Sequence, residues 1–173
     1  MKRDDLLDLN DVLQHPGRTI SVEIGTEMES VEDLDLVTAL EGTLEAVSTG
    51  NVLLVTGHFQ TTAVVECGRC AAPVEVEVEF DVDEQFKVEG TPSSFNSQDM
   101  AKVVDDEPYP LFEGNNLMVE ELLRQDLLLA MPIHPVCKDP GPECLQVAQQ
   151  ANTEKEVGRL EFKKLEKLIG SDG

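Results

Sequence analysis

The sequence predicts an α+β fold, in which an antiparallel sheet of about four or five strands is covered by one long helix and followed by a C-terminal helix. Three observations support this prediction. Residues 74–83 alternate between apolar and acidic side chains, which is typical of a half-buried antiparallel strand. Residues 117–131 carry apolar side chains at helical spacing. Residues 154–170 combine a second apolar row with basic side chains, which indicates the C-terminal helix. The length of the chain predicts a single domain over residues 1–173.

The strands are predicted in chain order from alternation and from turn residues. Residues 5–15 fit either a short helix or an extended arm, and residues 18–25 predict the first regular strand. Residues 36–67 predict two strands joined by a turn at residues 48–51. Residues 68–73 form the next turn, and the alternating strand follows it. Its apolar side consists of Val74, Val76, Val78, Phe80 and Val82.

The second half of the chain predicts a loop and then the long helix. Residues 90–116 contain three prolines and little periodicity, so we predict a flexible loop. In the helix at residues 117–131, Asn115 or Asn116 is expected to cap the start, and Pro132 is expected to end it. Its predicted buried face has two rows, formed by Met118, Leu122 and Leu129 and by Val119, Leu123 and Ala130.

The charge of the chain restricts its partners. The formal net charge is −22, from 35 acidic and 13 basic residues, and such a surface repels phosphate backbones. The acidic side of the alternating strand is either a solvated surface or a docking surface for a basic protein: Glu75, Glu77, Glu79, Asp81 and Asp83. The basic side chains of the predicted C-terminal helix either fold back onto that strand, contact RNA or are solvated: Lys163, Lys164 and Lys167.

The four cysteines are the candidate metal ligands. Cys67 and Cys70 are spaced so that both thiolates can reach one tetrahedral zinc ion across a tight turn. Cys137 and Cys144 are the available second pair, and His134 is an alternative to Cys144 because the six residues between these cysteines exceed the usual spacing. Free structural cysteines and a redox dithiol remain as other interpretations. The dithiol is disfavoured because a strand, and not a helix, follows the first pair.

Neither a targeting segment nor a catalytic motif is evident. The first residues are too acidic for a transit peptide and lack the apolar stretch of a signal peptide, and no apolar run approaches about 18 residues. Four cysteines do not suggest a secreted disulfide scaffold, so the expected location is the cytoplasm, without membrane contact. The histidines stand in unrelated contexts, and no nucleophile or phosphate-binding motif is present, so we do not expect an enzyme.

Two segments resemble, in order and separation, the signature blocks of the YceD-like family of bacterial and plastid proteins. They are ECGRCAAPVEVEVEFDVDEQF and LMVEELLRQDLLLAMPIHPVC. Cys67, Arg69 and Cys70 match the CxRC signature of that family, and Pro132 and Cys137 match its helix-end motif. The family is named for large ribosomal RNA subunit accumulation.

The resemblance implies a non-enzymatic factor that supports 23S ribosomal RNA synthesis, processing or accumulation during ribosome biogenesis. Combined with the charge, it favours a basic ribosomal protein or a pre-ribosomal particle as partner, with limited direct RNA contact. Arg69 is expected either to bind that partner or to pair with Glu66 or Glu75. Two alternative functions remain. The first is a zinc-stabilised protein-binding module unrelated to ribosomes, and the second, less favoured, is a CxxC thiol oxidoreductase.

Overall fold

The computed structural model divides the chain into two compact units, and each is described by itself. The first unit comprises Met1–Val64 and Glu75–Pro132, and the second comprises Val65–Val74 and Ile133–Gly173. The structure describes residues 6–27, 35–104, 108–147 and 149. The predicted organisation as one domain over residues 1–173 stays a prediction.

Strands are the main secondary structure of the first unit. Its elements, with β5 and β6 extending into the second unit, are β1 (Leu6–Asp8), α1 (Asn10–Gln14), β2 (Thr19–Thr26), β3 (Asp35–Leu36), β4 (Leu40–Ser48), β5 (Val52–Glu66), β6 (Pro73–Glu89), β7 (Lys102–Val104), β8 (Phe112–Glu113), β9 (Asn116–Met118) and α2 (Val119–Ala130). In the second unit, a turn covers residues 68–70 and residues 142–147 are helical.

The predicted α+β class, a sheet of about four or five strands covered by one long helix, is wrong. The described strands form two antiparallel sheets, a three-stranded sheet in the order β1-β9-β8 and a six-stranded sheet in the order β2-β4-β5-β6-β7, with β3 beside β5. The helix α2 has only 12 residues. The prediction missed strands of two or three residues, because so short a segment carries no periodic pattern. The predicted C-terminal helix at residues 154–170 lies outside the described residues.

The long strands lie where alternation predicts them. β2 coincides with the first predicted regular strand, residues 18–25, to within one residue at each end. β4 pairs antiparallel with β5 from Glu41↔Gln60 to Ser48↔Leu53. In β6, Val78, Phe80 and Val82 are buried while the acidic residues between them are exposed. Burying every second side chain of these strands places the hydrophobic core on one side of the six-stranded sheet.

Phe59 on β5 fills the part of the core between two glycines. Its ring is fully buried and stacks on Phe80, with ring centroids 5.8 Å apart. Gly42 lies opposite Phe59 across the β4–β5 pair, and a Cβ at Gly57 would lie only 2.7 Å from Phe59 Cε2. The ring therefore occupies the space that side chains at both glycines would need.

The helix α2 begins later than predicted because β9 occupies the residues before it. Its N-cap is Met118, without a side-chain cap, so the predicted asparagine cap is wrong. The Asn115 amide instead donates a hydrogen bond to Asn10 Oδ1 at 2.8 Å. Leu129 was predicted on the buried face, but it is 85% exposed. The helix ends just before Pro132, as predicted. No described helix combines the length and the apolarity needed to cross a bilayer.

A buried glutamine connects α1 to the segment predicted as a flexible loop, residues 90–116. Gln14 Nε2 donates a hydrogen bond to the Ala101 carbonyl at 2.9 Å, and Gln14 Oε1 accepts one from the Ser93 N–H at 2.8 Å. β7 and β8 lie within the same segment. The flexibility of this segment stays a prediction.

Candidate functional site

The first cysteine pair lies on the tight turn between β5 and β6. The Cys67 N–H donates a hydrogen bond to the Ala72 carbonyl at 2.8 Å, and the Ala71 N–H donates one to the Cys67 carbonyl at 2.9 Å. Ala71 has a φ of 56°, in the left-handed region that closes tight turns. This closed turn brings Cys67 and Cys70 to the same side.

The second pair comes from the segment that follows Pro132. The Gly68 N–H donates a hydrogen bond to the Pro135 carbonyl at 2.8 Å, which holds this segment against the cysteine turn within the second unit. Cys137 follows directly, and Cys144 lies in the helical residues 142–147. The helical turn brings the Cys144 side chain back toward Cys67 and Cys70. Cys137 and Cys144 can therefore both join the cluster although their spacing is wider than in a usual zinc knuckle.

All four sulfur atoms converge on one point. They lie within 4.8 Å of one another, with Cys67 Sγ 4.0 Å from Cys144 Sγ and Cys70 Sγ 3.6 Å from Cys137 Sγ. A tetrahedral zinc ion with Zn–S bonds of about 2.3 Å requires sulfur atoms about 3.8 Å apart. The cysteines are free and not disulfide-bonded. The cluster therefore has the dimensions of a four-thiolate metal centre.

His134, the alternative ligand in the sequence prediction, is exposed and does not belong to the described cluster of metal-ligating groups. Cys67 and Cys144 are buried, at 3% and 1% exposure, whereas Cys70 and Cys137 are partly exposed. A donor set of four sulfurs, two of them buried, is chemically suited to zinc and leaves no position for a histidine.

The electrostatics of the cluster differ from one sulfur to the next. Hydrogen bonds from the backbone N–H groups of Cys70 and Arg69 lower the pKa of the Cys67 thiol to about 6. The sulfur atoms of Cys67 and Cys70 raise the pKa of Cys137 to about 12. Burial, followed by the nearby sulfurs, raises the pKa of Cys144. Four thiolates repel one another, so all four ionise together only around a cation.

A second candidate surface is the acidic face, which we define as eight exposed acidic residues on the outer side of β2, β4 and β6. Its β6 members are the five acids that the alternating strand predicts, and all are exposed: Glu75, Glu77, Glu79, Asp81 and Asp83. The sheet adds three exposed acids from neighbouring strands: Glu23, Glu41 and Glu45. Sequence reasoning missed these three, because only strand order places β2 and β4 beside the same surface.

His58 on β5 lies within the acidic face. Its Nδ1 is 2.7 Å from Asp81 Oδ1, and its Nε2 is 3.2 Å from Glu79 Oε1, with the three side chains well exposed. The hydrogen bond with Asp81 is the main reason that the pKa of His58 is raised above its ordinary value of 6.5. His58 therefore holds its positive charge to higher pH than an isolated histidine.

This arrangement predicts a measurable shift for one substitution. Asp81→Asn is expected to lower the pKa of His58 toward 6.5, as followed by NMR titration of the imidazole C–H signals. Because the folded pKa is raised, stabilisation by the His58 pair is complete below pH 6.5 and disappears as the pH rises through the folded value. Asp83→Asn removes the same charge two residues away and serves as the control. An equal shift in both variants would contradict the specific pairing.

The remaining predicted partner-binding residues fall in different places. Arg69 is exposed on the cysteine turn, and in the described part of the chain no ion pair joins it to Glu66 or Glu75. Its binding role stays a prediction. The three basic residues predicted for the C-terminal helix lie outside the described residues: Lys163, Lys164 and Lys167.

Taken together, fold and site define a small, mostly antiparallel β protein with an acidic sheet face and a four-cysteine cluster of metal-binding dimensions. The chain belongs to the family described as large ribosomal RNA subunit accumulation protein YceD, whose model matches residues 55–169. This match confirms the resemblance noted for the two signature blocks, and it indicates a ribosome-related role at the level of the family.

Curated relatives include an uncharacterized protein of Mycobacterium bovis and uncharacterized proteins of two strains of Mycobacterium tuberculosis. Each is 26% identical over 174 residues, which cover 96% of this chain and 76% of the relative. No solved structure matches the chain. The similarity to these relatives thus extends over nearly the whole chain, beyond the residues that the family model covers.

Proposed function

We propose that this protein is a non-enzymatic factor that supports 23S ribosomal RNA synthesis, processing or accumulation during ribosome biogenesis in the cytoplasm. The family match over residues 55–169 is the observation that carries the ribosomal part of the proposal. These residues include the cysteine turn and the whole acidic row of β6. Both candidate sites therefore belong largely to the segment that defines the family.

The partner is a basic ribosomal protein or a pre-ribosomal particle that presents one. Eight exposed carboxylates on one sheet face complement lysine and arginine side chains and repel a phosphate backbone. Direct RNA contact is correspondingly limited, and Arg69 on the exposed turn is the described residue best suited to it. The charge thus favours action through protein.

The cysteine cluster binds one zinc ion, which holds the second unit together. The convergence of four sulfurs within 4.8 Å supports this role. Four protein ligands occupy all positions of a tetrahedral ion, whereas catalytic zinc sites keep one position open for water or substrate. The geometry therefore favours a structural metal, in agreement with a non-enzymatic factor.

Deleting the gene is expected to lower mature 23S ribosomal RNA relative to 16S, because 23S accumulation would lose a supporting factor. The ratio is measured in total RNA from deletion and parent cells grown at the same rate. Complementation with the intact gene is the control. An unchanged ratio in the deletion strain would count against the ribosomal role.

Affinity purification distinguishes a protein partner from RNA. Basic ribosomal proteins are expected to remain bound to the purified chain after ribonuclease treatment. Glu77→Lys on the acidic face is expected to weaken their retention on the order of tenfold. Glu121→Lys, an equal charge reversal at an exposed position of α2, is the matched control. Loss of all ribosomal proteins after ribonuclease treatment would show that RNA is the partner instead.

A further inference from the structure

The strand β2 has a pairing partner on one edge only among the described residues. Its eight residues pair continuously with β4, from Thr19↔Val47 to Thr26↔Leu40, and no bulge interrupts them. The six-stranded sheet ends at β2 on this side. In an antiparallel edge strand, alternate residues direct their N–H and C=O groups away from the sheet. β2 therefore presents a row of backbone groups that no described residue pairs.

β2 has few of the features by which edge strands usually avoid pairing with other chains, and its one charged residue is Glu23. Its sequence, TISVEIGT, contains neither proline nor lysine. The opposite edge of the same sheet, β7, has only three residues. A long, regular and unprotected edge is the structure to which an extended peptide adds as a further strand.

A groove of about 520 Å³ follows this edge. Residues 22–26 of β2 line it consecutively, as expected for a groove along the edge of the strand, whereas a groove along one face would be lined by every second residue. The rest of the lining comes from β1 and from the start of α2: Leu6, Leu7, Val119 and Glu120. The groove thus offers apolar side chains next to unpaired backbone.

Two carboxylates give the groove its charge. Glu23 extends from β2, and Glu120 lies on the first turn of α2. Glu120 Oε1 accepts a hydrogen bond from the Thr26 hydroxyl at 2.7 Å, which fixes this carboxylate beside the end of β2. A peptide in the groove would therefore meet acids at the same edge that offers backbone hydrogen bonds.

We propose that this groove binds an extended basic segment of a protein partner by strand addition to β2. The peptide backbone pairs with the free edge, its apolar side chains contact Leu7 and Val119, and a lysine or arginine meets Glu23 and Glu120. This inference rests on the proposed function, which calls for a basic protein partner. It adds the place where that partner binds and the conformation that it adopts.

Charge selects this occupant over a second copy of the chain. Pairing β2 with β2 would bring together two chains of net charge −22 and would place Glu23 of both copies along one ladder. Like charges across paired strands are destabilising. A basic segment reverses the sign of that interaction, so the same edge attracts it.

The test uses the full-length protein and a fluorescent heptapeptide of alternating arginine and valine, capped at both ends. Binding is expected to slow hydrogen exchange of those amides in Thr19–Thr26 that point away from β4. Two further peptides carry N-methyl groups on alternate residues, one set for each edge of the peptide strand. Because strand addition uses one peptide edge, one of these peptides is expected to bind as the parent does, and the other on the order of tenfold more weakly.

Protein variants test the charge. Glu120→Lys is expected to weaken binding of the parent peptide on the order of tenfold. Glu121→Lys reverses the same charge at the neighbouring residue, outside the groove lining, and is expected to change the affinity for this peptide less than about twofold. Circular dichroism of both variants checks that each is folded. Equal weakening by the two variants would overturn the groove assignment and leave only general charge attraction.

Other outcomes separate this inference from the proposed function. Equal binding of both N-methylated peptides, or protection confined to β4 and β6, overturns strand addition while leaving a basic partner in place. Slow exchange, in the free protein, of the β2 amides that point away from β4, or a concentration-dependent dimer that excludes the peptide, assigns the edge to the chain itself or to a second copy and also overturns it. Peptide binding in a protein whose deletion leaves 23S RNA unchanged would sustain the groove and reject the ribosomal role.

Discussion

Replacing Cys67 with serine is expected to abolish stoichiometric zinc binding and to disorder the second unit. The Cys67 sulfur is buried, lies 4.0 Å from Cys144 Sγ and accepts backbone hydrogen bonds from the turn, so a shorter and poorly coordinating hydroxyl cannot replace it. Structural zinc sites contribute apparent binding free energies on the order of 10–16 kcal/mol, which small metal-bound units need to fold. The first unit should keep its β structure, because none of the four cysteines belongs to the core cluster.

Metal analysis of protein purified without tags or chelators measures this effect, with about one zinc ion per intact chain expected. Cobalt substitution adds a second readout, since tetrahedral thiolate coordination gives visible absorption bands that the serine variant should lose. His134→Ala is the matched control, because the exposed histidine lies outside the described cluster and its variant should keep the metal. Metal-free intact protein with an ordered second unit would reject the zinc site.

Replacing Phe59 with alanine is expected to destabilise the first unit by about 3–5 kcal/mol. The ring is fully buried, stacks on Phe80 and fills the space over Gly42 and Gly57, neither of which has a side chain to occupy the cavity that alanine leaves. Domains of this size are stable by only about 5–15 kcal/mol, so the loss is a large part of the total.

Urea denaturation followed by circular dichroism measures the change as a lower transition midpoint with a similar slope. Phe86→Ala is the matched control, because this ring is only partly buried and makes an edge contact with Phe112, with centroids 4.7 Å apart. We expect a clearly smaller loss for the control. Equal losses in the two variants would contradict the central position assigned to Phe59.

The long strands were predictable because they are half-buried, and half-burial appears in the sequence as alternation. In β6, each exposed acid from Glu75 to Asp81 stands between apolar neighbours. The short strands were not predictable for the converse reason. β1, β8 and β9 have two or three residues each, and their pairing, such as Leu7↔Leu117, depends on residues far apart in the chain. Missing them is what made the predicted fold class wrong.

The candidate metal site was likewise predictable only in part. Cys67-x2-Cys70 is a local spacing that makes a metal site one of the possible interpretations, because two nearby thiolates on a turn can share one ion. The second pair has no such local signature, and its choice over His134 depends on the return of Cys144 in the helical residues 142–147. The hydrogen bond from the Gly68 N–H to the Pro135 carbonyl, across 67 residues of sequence, had no sequence signal at all.

By itself, the sequence determined the properties that depend on neighbouring residues: the net charge, the alternating strands, the cysteine turn and the family signatures. Only the tertiary structure decided which distant segments meet, and so it alone produced the two-sheet architecture, the four-sulfur cluster and the acidic face that β2 and β4 extend. The physical reason is that periodicity and turn chemistry are local, whereas strand order and ligand convergence arise from packing the whole chain around a core.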